Sequence, residues 1–223
     1  HFGVAPAVLQ PPPDYSATDE FFPFADRGKF VQMCAAEDEP LLVLHTFFWR
    51  VELETLADMH EVANYAFNYP ARGSFLAAMR EKGWVTELTT ALDTTLPQLC
   101  YHKVLLHLTP AGLANHRQVV REFFRFASSL AEDFDEYVYN DIKIYNKCKF
   151  ELQRHFAPLE VTMTLTVFTG MYAPAEALRG HYRAYPVTRQ TMSYFLDHFM
   201  YGNSIVVLVS KDFTGANRRD SIN

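Results

Sequence analysis

Few residues in this 223-residue chain have the type and spacing to do chemistry. His60-Glu61 is the first pair to test. A zinc hydrolase helix needs two histidines one turn apart with a glutamate beside one of them, so that both imidazoles and the base face the metal. Reading His-Glu-x-x-His from His60 puts Asn64 at the second ligand position, and the inverted order around Glu61 puts Asp58 and Val62 at the ligand positions. The spacing fails both ways, and His60 reads as a solvated helix residue. Cys100-Tyr101-His102 sets a thiol and an imidazole on one strand face, yet no second ligand pair lies at matching spacing. A half-buried strand thiol beside a surface imidazole is expected there. The remaining histidines are scattered singly. Gly-x-Ser-x-Gly and Gly-x-x-x-x-Gly-Lys are missing, so neither a serine nucleophile elbow nor a phosphate loop is present. Asp133 and Asp135 read as acids that favour a helix N-terminus. The sequence offers no catalytic residue and no metal ligand.

Composition narrows the partners. Lys plus Arg number 20 against 26 Asp plus Glu, a net charge of -6, so the chain lacks the cationic face that nucleic acid requires. No apolar stretch approaches the roughly 20 residues of a membrane helix. Neither nucleic acid nor membrane is an expected partner. Three cysteines, Cys34, Cys100 and Cys148, are an odd number at patternless spacing, which points to a reducing compartment; a cytoplasmic location is expected, with an organelle as the alternative. The 19 Phe and 12 Tyr imply a core packed with large rings, some of them available to cover an interface.

The elements that must position these residues follow from periodicity. Residues 1–38 carry Pro11, Pro12 and Pro13, then Phe21, Phe22 and Phe24, and read as a linker or N-terminal arm packing through its phenylalanines. Residues 39–223 read as a single domain. Leu41 to Val51 is a strand. Apolar residues at three- and four-residue steps from Leu53 to Ala66 predict a helix over 53–67. Gly73-Ser74 opens a short helix, Phe75 to Glu81, which Gly83 closes. Trp84 to Leu92 and Gln98 to Leu108 form an antiparallel pair with a turn around Asp93. Thr109-Pro110 caps a helix running to Glu132. Further helices are expected over 135–154, 158–169 and 175–179, and another from Pro186 with Thr188 to Phe199 at helical period, with a closing strand from Ser204 to Ser210. The fold class is α+β: a mixed, largely antiparallel sheet with helices packed on one face.

Two stretches carry a resemblance. Arg72-Gly73-Ser74-Phe75-Leu76, continuing through Met79-Arg80-Glu81-Lys82-Gly83-Trp84-Val85, resembles a segment of the insulysin/pitrilysin family of zinc metallopeptidases in which a Gly-Ser helix leads to Lys-Gly-Trp-Val. Asn203 to Val209, followed by Ser210-Lys211-Asp212-Phe213-Thr214-Gly215, resembles the strand and Ser-Lys-x-Phe-x-Gly that close that family's second domain. The elements between fall in the family's order, so the resemblance covers residues 38–218. It implies a metallopeptidase-like α/β sandwich domain of the second, non-catalytic type, which walls a peptide-enclosing chamber. Zinc would then sit in the catalytic domain of the parent protein, with none in this chain. The partners implied are other domains of the same polypeptide or a homologous subunit, and a peptide substrate. The alternative is a catalytically inactive core-type scaffold subunit that pairs with a separate metallopeptidase chain.

The resemblance also implies where peptide could dock. In insulysin-like enzymes an exosite lets a peptide N-terminus add to an edge strand beside a glycine-rich turn. Of that turn only Gly73 is retained, with Asn68, Tyr69, Pro70, Ala71 and Arg72 around it, and the strand carries Thr89-Thr90 where the family has glycines. The candidate substrate-binding residues are therefore Tyr69, Gly73, Thr89 and Thr90.

Overall fold

The computed structural model describes residues 27–34, 39–49, 53–69, 72–96, 99–132, 134, 136–152, 158–171, 187–213 and 218–221. One sheet of six strands organises them: β1 (Lys29–Met33), β2 (Leu41–Trp49), β3 (Val85–Leu96), β4 (Leu99–Leu108), β5 (Ser204–Val209) and β6 (Arg218–Ser221), in the order β3-β4-β2-β5-β1-β6. β2 runs antiparallel between β4 and β5. Its place between two neighbours explains its run of β-branched and aromatic residues. β1 lies parallel to β5 and antiparallel to β6. The sheet is therefore mixed and mostly antiparallel, as the residue patterns predict.

Seven helices are described: α1 (Leu53–Asn68), α2 (Phe75–Glu81), α3 (Pro110–Ala114), α4 (His116–Glu132), α5 (Glu136–Leu152), α6 (Pro158–Met171) and α7 (Arg189–Leu196). α1 buries Leu56, Met59, Val62, Ala63 and Phe67, one stripe at helical spacing. That stripe shares one buried core with Leu42, Leu44 and Phe48 of β2, Leu106 of β4 and Leu208 of β5. Rings join the layers: Phe48 stacks on Phe195 of α7 at 4.9 Å, and Phe67 and Phe75 meet Phe123 of α4 at 5.1 and 5.3 Å. Each such fully buried phenylalanine contributes about 1.5–3 kcal/mol of burial.

Four expectations are corrected. Residues 29–33, placed by the sequence in an N-terminal arm, are a strand inside the sheet, with Phe30 buried and backbone partners on both sides. Five residues next to a proline-rich stretch give too short an alternation to register as a strand. The turn assigned to Asp93 lies further on: β3 continues to Leu96, with Asp93 paired opposite Tyr101. The helix predicted over 110–132 is two, interrupted at Asn115, whose side-chain amide donates to the Ala111 carbonyl at 2.8 Å and so competes with the helical ladder. Ser204–Val209 is also not the closing strand, because β6 follows it and pairs with β1. The short helix expected at 175–179 falls outside the described residues.

Candidate functional site

Tyr69 and Gly73 belong to the turn that joins α1 to α2. The Tyr69 N–H continues the ladder of α1 to the Tyr65 carbonyl at 2.9 Å, and the two tyrosine rings lie 4.9 Å apart. Ser74 then brackets the turn. Its hydroxyl donates to the Tyr69 carbonyl and accepts from the Ala77 N–H at 3.0 Å, which makes it the N-cap of α2. Gly73 between them has φ +102°, a conformation that L side chains rarely adopt, and the space where a Cβ would sit is open. Tyr69 itself is 42% exposed.

Thr89 and Thr90 lie on β3, which has β4 on one side and ends the sheet on the other among the described residues. Successive strand residues point to opposite faces. Thr89, opposite Leu105, is exposed; Thr90, opposite Val104, points to the helical side, where its hydroxyl is buried without a hydrogen-bond partner. The strand's free edge is blunted at its start. Arg80 of α2 donates from Nε and Nη2 to the Thr86 carbonyl at 2.9 and 2.7 Å, next to the irregular pairing between Val85 and Glu87. The edge that remains open for backbone pairing lies beyond Thr86, where Thr89 and Thr90 stand. α1 and α2 both pack on β3, and no described hydrogen bond or ring contact links Tyr69 or Gly73 to the threonines.

Two histidines sit where residue type alone did not place them. His102 is fully buried, and His60 is half-buried with its ring 4.8 Å from that of His102, edge to face. Both corrections have visible causes. His102 shares its strand phase with Cys100, Val104, Leu106 and Leu108, all buried, and His60 falls four residues after Leu56 and three before Ala63 on the buried stripe of α1. Nδ1 of His60 and both ring nitrogens of His102 are buried without a hydrogen-bond partner. Burial lowers the pKa of His60 to about 4, and burial followed by the neighbouring His60 lowers that of His102 well below the ordinary value.

On the sheet's other face, the Tyr101 hydroxyl donates to Asp93 at 2.5 Å and the ring lies 5.4 Å from His45. A zinc site does not fit what is present. Among the described residues no group of three His, Cys, Asp or Glu side chains could hold a metal ion, and the His60 ring packs against that of His102. Cys34, Cys100 and Cys148 are free thiols. No helix of the described residues is long and apolar enough to cross a membrane.

This strand order and helix placement recur in solved structures. Pitrilysin superposes with a TM-score of 0.82 at 15% identity, covering 90% of this chain and 22% of that one. A peptidase M16 inactive domain from Pseudomonas fluorescens superposes with a TM-score of 0.59 at 11% identity, covering 81% of this chain and 43% of that one. The fold is the α+β domain fold of the pitrilysin/insulysin (M16) peptidases. The sequence is similar to the A-factor-processing enzyme of Saccharomyces cerevisiae, 20% identical over 167 residues, which is 70% of this chain and 16% of that protein. No family model matches the chain. It spans about a fifth or less of the length of pitrilysin and of the A-factor-processing enzyme.

Proposed function

We propose that this chain is a non-catalytic, second-type domain of an insulysin-like zinc metalloendopeptidase, located in the cytoplasm, which forms part of a peptide-enclosing chamber and anchors peptide on the open edge of β3. The observation that supports the reading is the sheet order, which among the described residues leaves β3 at one end of the sheet in a domain of the M16 fold. Its similarity to a small part of much longer peptidases supports membership of a larger assembly. An extended peptide would add as a further strand next to Thr89 and Thr90, with Tyr69 and the open side of Gly73 flanking its end. Zinc chemistry, in which a metal-bound water attacks the peptide carbonyl, would belong to another domain of the parent protein.

Proline substitution tests the edge. Successive N–H groups of an edge strand alternate between the neighbouring strand and the open side, so one of the two variants Thr89→Pro and Thr90→Pro removes an outward donor. That variant is expected to keep its stability and lose about tenfold or more in affinity for an extended peptide, read by fluorescence anisotropy on the 223-residue chain. Equal peptide affinity in both stable variants and the unmodified chain would overturn the anchoring role.

A further inference from the structure

Helix α1 meets the sheet through two imidazoles that nothing in the peptide-anchoring reading uses. His60 reaches from α1 to His102 on β4, and His102 is enclosed by Phe67, Phe195 and Phe199, whose ring centroids lie 6.4, 6.0 and 5.0 Å away, all edge to face. Neutral imidazoles suit such a box, because bringing a charge out of water without a hydrogen-bonded counter-charge is costly. The Thr90 hydroxyl, buried without a partner on the same face of the sheet, adds no carboxylate.

We propose that the His60–His102 pair is an acid-released latch, closing α1 on the sheet while both rings are neutral and releasing it when they are protonated. A proton on either ring places a cation in an apolar enclosure beside a second basic group, and among the described residues no carboxylate is hydrogen-bonded to either ring. On α1 itself, the Asp58 carboxylate acts on Tyr139 of α5, while Tyr65 is influenced by Asp141 of α5. On β3 and β4, Asp93 is taken up by Tyr101 on the opposite face, where Lys103 also lies near His45. Cys100 shares the face of His102, but burial pushes its thiol up, so it stays neutral. From α2, Arg80 is bound to the Thr86 carbonyl; from the α7 side, Arg189 donates to the Phe134 carbonyl and His198 stacks on Phe48. None of these groups stabilises a charge on His60 or His102, for which burial and their mutual proximity are the acting causes.

The sign follows. Opening α1 returns His60 to water and removes His60 and Phe67 from one side of His102, raising the proton affinity of both rings, so acid favours the open form. The latch concerns α1 alone and stands whatever β3 binds.

Amide hydrogen exchange on the 223-residue chain reads it, as protection of the Ala63 and Phe67 amides relative to the unstructured rate at each pH. Each released histidine adds up to about tenfold per pH unit below its ordinary pKa, so protection falls by about 30-fold for His60 alone and by up to about a thousandfold if His102 is released as fully, between about pH 7.5 and about pH 5. The β5 amides stay better protected throughout. In His102→Leu, which keeps an apolar group in the box, the fall shrinks to roughly 30-fold; in His60→Gln it shrinks alike. The latch is overturned if α1 protection in the unmodified chain changes less than about threefold over this range. It is also overturned if α1 and β5 amides share one protection value throughout, or if neither variant flattens the slope. Should His102→Leu not fold, the unmodified chain compared with His60→Gln decides.

Discussion

The Trp84 carbonyl oxygen lies 1.9 Å from the position a Cβ on Gly112 would take. This close approach holds α3 against the start of β3. Around it, the Thr109 hydroxyl donates to the Gly83 carbonyl at 2.7 Å and accepts from the Gly112 N–H at 2.9 Å, while the Thr109 N–H donates to Trp84 at 3.0 Å. The clash is with backbone, which cannot swing aside as a flexible side chain does. Gly112→Ala is therefore expected to cost about 2–3 kcal/mol of stability, measured by urea unfolding. A change within about 0.5 kcal/mol would show that the approach is looser than the structure has it.

Ser74 serves two backbone groups at once. It caps α2 and clasps the Tyr69 carbonyl, and its side chain is buried. Ser74→Ala leaves both groups without this partner and should cost about 1–2 kcal/mol in chemical denaturation. Ser74→Asp retains the acceptor for Ala77 but not the donor to Tyr69, so it should recover only part of the loss. Full recovery would mean that the Tyr69 clasp contributes nothing.

The Tyr101–Asp93 pair on the opposite face of the sheet has an alkaline signature. The hydrogen bond to Asp93, then burial, raise the Tyr101 pKa above its ordinary value of 10.0. A group whose folded pKa is raised stabilises fully below its unfolded value and loses that contribution as the pH climbs through the folded one. Ultraviolet difference titration should show one tyrosine ionising later than the exposed ones, and Asp93→Ala should bring that ionisation back towards 10 while removing the alkaline stability loss assigned to it. An unchanged titration in Asp93→Ala would refute the pairing.

Much of this architecture is legible in the sequence because its signals are local. Ser74 and Thr109 each precede a helix by one residue and cap it in the structure, and the apolar stripe of α1 and the pairing of β3 with β4 follow from periods of 3.6 and 2. The strand at Lys29–Met33 escaped because its backbone is satisfied by partners about 175 residues further along the chain, at Ile205 to Val209, and not by its own pattern. The histidines escaped for another reason. Residue type outweighed phase: a histidine reads as a surface residue, although His102 stands in step with Val104 and Leu106, and His60 in step with Leu56 and Ala63. Of the candidate site, the edge position of β3 could be named from the family resemblance, but the Arg80 clasp on Thr86 that limits the free edge depends on the three-dimensional approach of α2 to β3.

A domain of a larger peptidase, as proposed for this chain, is made as part of a much longer polypeptide. The most direct test is the mass of the endogenous polypeptide that contains it, by immunodetection in a fresh denatured extract of the source cells. A band several times larger than the 25.7 kDa of this chain is expected. A band near 25.7 kDa would contradict it and favour a separate scaffold subunit that pairs with a catalytic chain.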